Sequence, residues 1–298
     1  MFTGLSAFPL TPATDEGIDE AAYERIVGRL ADARVESIGA LGSTGSYAYL
    51  SRQERARAAT IAVQCAGPVP VIVGVGALRT RDILLNIEDA QNGGAAAVLL
   101  APMTYQALTE EEVYRLYEEI AVNLSVPLVV YDNPATTHVQ FTDDLHGRVS
   151  RLGAVASIKI PAVSTDAAEA KLRVDRLRSL IPATVTIGVS GDAAGANGLI
   201  AGCDVWYSVI AGILPEQCLA IARAAAAGNA DEARALSAKM DPLWALFARY
   251  GSYRVTSAVA EDLGLASSPN LPRPVRGLDE EGRRGVARAL DDMGVVPS

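Results

Sequence analysis

The sequence predicts an α/β protein, a (β/α)8 barrel with a C-terminal helical extension. Three observations carry that prediction. Eight short apolar runs alternate with amphipathic segments over roughly the first 200 residues, the pattern of repeated βα units. After residue 214 the pattern is helical only. A doubly wound sheet is the competing architecture, and its dinucleotide signature is missing: Gly74-Val75-Gly76 has no third glycine at the required spacing, and no P-loop is present.

In chain order, the strands are expected at 4–8, 37–41, 69–73, 97–100, 128–131, 155–159, 186–189 and 204–208, each a short run in which apolar residues predominate. Helical spacing of apolar positions falls between them, near 18–33, 52–65, 80–92, 110–123, 142–150, 165–179 and 193–201. Alanine, leucine and charged residues then recur at helical spacing near 215–227, 231–249, 251–263 and 279–292, with Asn270-Leu271-Pro272-Arg273-Pro274 breaking the last two apart. This divides the chain into a barrel over 1–214 that carries the active site and a helical extension over 215–298 packed on it.

The bulk composition narrows the function. The chain has 298 residues, 50% of them hydrophobic, enough for one large core. Three widely spaced cysteines without a CxxC argue against a disulfide framework or a zinc site. No charged leader followed by an apolar core opens the chain, and no apolar run reaches membrane length, so a cytoplasmic location is expected. A net charge of −9 argues against nucleic acid and anionic membranes as partners. Two histidines are too few for a multi-histidine metal centre, and neither H-E-x-x-H nor G-x-S-x-G occurs.

In a barrel of this kind the chemistry gathers at the C-terminal ends of the strands. Lys159, one of three lysines, stands there in the apolar run Ala154-Val155-Ala156-Ser157-Ile158-Lys159-Ile160, whereas Lys171 and Lys239 lie among charged residues. Burial lowers a lysine pKa and frees a nucleophilic amine able to form a Schiff base with a carbonyl. The other reading is a lysine that reaches the strand end and pairs with a carboxylate. After the second strand, Gly42-Ser43-Thr44-Gly45-Ser46 fits an anion site or an ordinary βα turn. After the fifth, Tyr131-Asp132-Asn133-Pro134-Ala135-Thr136-Thr137-His138 supplies a phenol for proton relay, or a tyrosine that only packs. Asp192 reads as the N-cap of the helix that follows it. Tyr207 or Ser208 is expected near the barrel mouth. His138 reads as structural, and His146 has no partner visible in the sequence.

Taken together, Gly42-Ser43-Thr44-Gly45, Leu50-Ser51 with Glu54, Tyr131 with Asn133-Pro134, Lys159, Gly191-Asp192 and Gly202 leading to Ser208 resemble the dihydrodipicolinate synthase/N-acetylneuraminate lyase family across essentially the whole chain. The resemblance implies a (β/α)8 barrel with a helical tail, a homo-oligomer (tetramer or dimer), and a Schiff base formed on Lys159 with pyruvate or another 2-oxo acid. It implies no external cofactor and no metal. Tyr131 takes the place of the family's proton-relaying tyrosine, with Thr44 beside it as a catalytic residue. Ser43, Thr44 and Gly45 take the place of the carboxylate-binding residues. Thr136 and Tyr207 are expected to bind the remainder of the substrate.

Departures from the family pattern bear on the substrate. Ser46 replaces a usual glutamate, His138 a usual glycine, and Thr104 stands where many members carry a second tyrosine beside Tyr105. Thr136 stands where the synthases carry an arginine, and a hydroxyl does not replace a guanidinium fork for a carboxylate. The expected reaction is therefore reversible aldol cleavage of a 4-hydroxy-2-oxo acid of the 2-keto-3-deoxy sugar type to pyruvate and an aldehyde. The alternatives are dehydration of a keto-deoxy sugar acid, a dihydrodipicolinate synthase-like condensation, and a non-catalytic paralogue that binds 2-oxo acids.

Overall fold

The computed structural model describes residues 2–295. Its eight barrel strands are β1 (Gly4–Ala7), β2 (Ser37–Ala40), β3 (Val71–Gly74), β4 (Ala97–Leu100), β5 (Leu128–Tyr131), β6 (Val155–Ile160), β7 (Thr186–Val189) and β8 (Val205–Ser208). Every neighbour pairs in parallel, and β1 pairs with both β2 and β8, so the sheet closes and leaves no edge. Each expected strand is present, displaced by at most two residues. The third strand begins at Val71 instead of 69 because Pro70 has no N–H for the ladder and the Val69 amide turns back to Ala66.

Alternation along the strands sorts side chains into two cores. The outward set, including Leu5, Ile38, Val73, Val98, Val130, Ile158 and Ile187, packs under the helices. The inward set is smaller and more aromatic: Phe8, Ile72, Ala97, Leu99, Ala101, Val129, Tyr131, Val205 and Tyr207 fill the barrel. Ser157 and Lys159, two residues apart on β6, therefore face the same interior.

The outer helices are α1 (Glu20–Ala33), α2 (Arg52–Cys65), α3 (Thr80–Asn92), α4 (Glu110–Ala121), a short α5 (Pro134–Thr137), α6 (Asp143–Val149), α7 (Ala167–Arg178) and α8 (Gly195–Ile200). Their starts follow from side-chain capping. Ser51 with Glu54 and Thr109 with Glu112 form capping boxes, and Asp19, Thr142 and Asp166 accept from first-turn amides. Helix α9 (Pro215–Ala226) packs against β1, α1 and α8, and α10 (Ala230–Ala238) lies on α9. Helices α11 (Asp241–Tyr250), α12 (Ser252–Asp262) and α13 (Glu280–Asp292) pack on one another.

The single helix expected over 231–249 is two. Pro242 lies in the first turn of α11, where it lacks an amide to continue the helix from α10. Among the described residues, no helix is long and apolar enough to cross a membrane.

The interior tolerates large rings only because facing positions lack side chains. A Cβ at Gly188 would stand 2.1 Å from the Tyr207 ring. Gly188→Ala is expected to destabilise the fold by about 1–3 kcal/mol through overpacking, read as a lower urea midpoint. An unchanged midpoint would show that the interior repacks freely.

Candidate active site

The sheet register sets the site. Lys159 on β6 lies opposite Tyr131 on β5 and Gly188 on β7, so amine and phenol emerge at the same height near the C-terminal end of the barrel. Lys159 is 2% exposed. Its Nζ lies 3.8 Å from the ring centroid of Phe8, 4.2 Å from that of Tyr131 and 5.7 Å from that of Tyr207. Burial pulls the amine below its ordinary pKa, while the Tyr131 phenol and the Asp192 carboxylate act in the opposite direction.

The Tyr131 hydroxyl is held in place. Asn133 Nδ2 donates to it at 2.9 Å, and Ser43 Oγ lies 3.4 Å away. Ser43 thus joins the loop after β2 to the tyrosine on β5. Thr44, next in the chain, is buried. Among the described residues, the loop hydroxyl that reaches Tyr131 belongs to Ser43 and not to Thr44. Gly45 lies tight against the Leu41 backbone, where a Cβ would come within 2.8 Å of Leu41 Cα. Ser46, at φ 61°, turns its hydroxyl to Tyr253 of α12 at 2.6 Å and so serves the helical extension. Burial, with this hydrogen bond opposing it, pushes the Tyr253 phenol up to about 12.

The expected positions of Tyr207 and Asp192 are corrected by the structure. Tyr207 or Ser208 was expected near the mouth; both are buried, and Tyr207 lies inside the barrel, its hydroxyl 2.7 Å from Ser157 Oγ, one layer below Lys159. An inward aromatic on β8 points to the axis, and its length carries the hydroxyl down to β6. Asp192 opens a 3-10 turn, but its carboxylate does not cap that turn. It accepts from the amides of Val209 at 3.1 Å and Ile210 at 3.0 Å and so ties the loop after β7 to the loop after β8. Burial raises its pKa.

Thr136 lies exposed on α5, its hydroxyl 3.5 Å from the Asn133 carbonyl. His138 is exposed and ends that helix at φ 58°, the left-handed conformation that glycine adopts most easily. Tyr105 is 88% exposed on the loop after β4, near Leu78 at 61%. Among the described residues, no group of three or more His, Cys, Asp or Glu side chains stands where it could hold a metal.

Three features were not legible in the sequence. Phe8 is an apolar residue at the end of the first strand, and nothing in its local sequence relates it to the lysine whose nitrogen lies 3.8 Å from its ring centroid. His146 has a partner, Asp132, with Nε2 3.3 Å from Oδ2, both deeply buried and the imidazole stacked on Phe141. Arg55, an ordinary helix residue by pattern, is buried and donates to the carbonyls of Gly74 and Gly76 at the end of β3. Burial lowers its pKa to about 10. A wide cleft of about 560 Å³ lies elsewhere, between the loop near Asp15 and the C-terminal helices, where Arg273 pairs with Asp15 and Arg283 with Glu261.

The buried amine carries a stability signature. The unfolded lysine titrates at about 10.4, so between the lowered native pKa and that value the unfolded chain binds more protons, and stability rises with pH. Lys159→Met is expected to be more stable than the parent at neutral pH in urea titrations. The gap should narrow as pH approaches about 10. A gap independent of pH would contradict the burial argument.

The chain matches the model of the dihydrodipicolinate synthetase family over residues 1–293. It is 30% identical over 302 residues to the 4-hydroxy-tetrahydrodipicolinate synthase of Phenylobacterium zucineum, covering 99% of each chain. Among solved structures, it superposes on dihydrodipicolinate synthase from Agrobacterium tumefaciens with a TM-score of 0.94 at 42% identity, covering 98% of each. The chloride-inhibited dihydrodipicolinate synthase of Acinetobacter baumannii, solved in complex with pyruvate, gives 0.89 at 27% identity, covering 99% of this chain and 100% of the other.

Proposed function

The chain belongs to the dihydrodipicolinate synthetase family, and on that premise we propose that it is a Schiff-base lyase that cleaves a 4-hydroxy-2-oxo acid reversibly to pyruvate and an aldehyde. The observation that carries this reading is the buried Lys159 amine facing the Tyr131 ring, at 4.2 Å from its centroid.

The geometry supports the following steps. The neutral Lys159 amine attacks C2 of the 2-oxo acid. Hydroxyls of Ser43 and Thr44, with loop amides, take the C1 carboxylate. Tyr131, held by Asn133 and Ser43, passes the proton that lets the carbinolamine lose water to an iminium. The iminium accepts the electron pair of the C3–C4 bond as the 4-hydroxyl loses its proton, which yields an enamine and an aldehyde. Protonation of the enamine and hydrolysis return pyruvate and Lys159. No bond change in this sequence needs a redox partner.

The substrate preference rests on Thr136. An exposed threonine on α5 offers the distal end of the substrate no charge. That favours a hydroxylated aldehyde over a carboxylated one. Similarity to the 4-hydroxy-tetrahydrodipicolinate synthase of Phenylobacterium zucineum supports a second reading, a dihydrodipicolinate synthase-like condensation. The same iminium also permits loss of water, and product analysis separates the three outcomes. The exposed apolar residues Leu78 and Tyr105 support docking of a second copy on that face. Sedimentation velocity should then give at least twice the mass of one chain; a monomer at micromolar concentration would remove that part of the reading.

Borohydride reduction with pyruvate should leave a reduced adduct on the peptide that contains Lys159 and none in Lys159→Ala. Tyr131→Phe should still be trapped at high pyruvate but turn over roughly 10²–10⁴-fold more slowly. Trapping on another lysine, or full turnover in Lys159→Ala, would sink the reading.

A further inference from the structure

Phe8 has no part in the steps above, yet its ring is the closest of the three that surround the amine. Its centroid lies 3.8 Å from Lys159 Nζ. The fold clears space for this ring. A Cβ at Gly39 would stand 2.4 Å from it, and one at Gly42 would stand 2.6 Å away. Tyr207 abuts it edge-on, at 88° and 5.7 Å between centroids, and the Phe8 amide is fixed to the Ser208 carbonyl at 2.8 Å. The ring is thus held against the nitrogen by glycines on one side and a tyrosine on another.

A phenyl ring donates no hydrogen bond and carries no proton. Its face is the negative side of a quadrupole, which attracts a cation and does little for a neutral amine. Burial disfavours charge at this nitrogen, and the chemistry requires charge there, because the electron sink for bond cleavage is an iminium whose cationic nitrogen is Nζ itself. An aliphatic side chain would exclude water equally well and would offer that cation nothing.

We propose that the Phe8 ring stabilises positive charge at the Lys159 nitrogen, as the ammonium of the resting protein and as the iminium of the 2-oxo acid adduct. The iminium half rests on the Schiff-base reading; the ammonium half does not. For a contact removed from water, the attraction corresponds to about ten- to thirtyfold in an equilibrium constant.

The test replaces Phe8 in the full chain by mono-, di- and trifluorophenylalanine, which keep the ring's shape while draining its negative face stepwise. Two quantities are read. One is the pKa of the Lys159 amine without substrate, from the pH dependence of its carbamylation by cyanate, located by peptide mapping. The other is the pyruvate concentration that half-saturates borohydride trapping, read at a pH above that amine pKa, where the resting amine is neutral and only the adduct carries charge. Both should move in order of fluorination. The amine pKa should fall by up to about one, and trapping should need up to about tenfold more pyruvate. Phe8→Leu should lie beyond the trifluoro variant on both. An amine pKa that stays constant across the series overturns the proposal and makes Phe8 a packing residue, while trapping by the parent keeps the Schiff-base reading. A parent that traps no 2-oxo acid overturns that reading and the iminium half with it, and the pKa series alone then decides the ammonium half.

Discussion

Lys159 carries its amine on the inner face of a closed barrel, where it is 2% exposed, and the neighbouring elements are arranged around the cost of that burial. A buried ammonium loses its hydration, so the group sits below its ordinary pKa and a larger share of it is neutral and nucleophilic. The compensations come from rings and from one distant carboxylate, not from an ion pair in contact. A contact carboxylate would have held the proton on the amine. Three aromatic rings surround the nitrogen instead, with centroids 3.8, 4.2 and 5.7 Å from it.

Register and glycine placement make that arrangement possible. Because β5 and β6 pair with Lys159 opposite Tyr131, the phenol and the amine share one level of the barrel. Because Gly188 on β7 and Gly39 on β2 have no side chains, Tyr207 and Phe8 can lie across the axis. The Ser157–Tyr207 hydrogen bond at 2.7 Å then closes the level beneath and satisfies a phenol whose pKa burial has raised. The site is the top layer of a packed interior, which is why the space around the amine is small and the wide surface cleft lies elsewhere.

The loops above this layer are tied down by buried polar groups. Asp192 takes two amides of the loop after β8, and Arg55 takes two carbonyls at the end of β3. Each joins segments distant in sequence, and each is shielded from water, so each constrains its loop more firmly than a surface pair would. Tyr131 is oriented by Asn133 two residues on and by Ser43 from the other side of the barrel.

The strand and helix order was legible because it follows from local chemistry: apolar alternation, capping residues and prolines act within a few residues of one another. The barrel, the buried lysine and the tyrosine after β5 could be read for that reason, as could the family resemblance built on them. Pro242 was equally visible, yet its break in the helix was masked by continuous alanine and leucine spacing on both sides. What the sequence could not decide is which side chains meet across the closed sheet. Tyr207 lies inside the barrel below the amine, Ser43 reaches Tyr131, and Phe8 covers the nitrogen; each depends on register and on the direction of a side chain across the barrel axis. Sequence by itself determined the order of strands and helices and singled out the buried lysine, because propensity and apolar patterning are properties of short segments. Tertiary structure alone decided the surroundings of that nucleophile, because closing eight strands brings together residues that no short-range pattern relates.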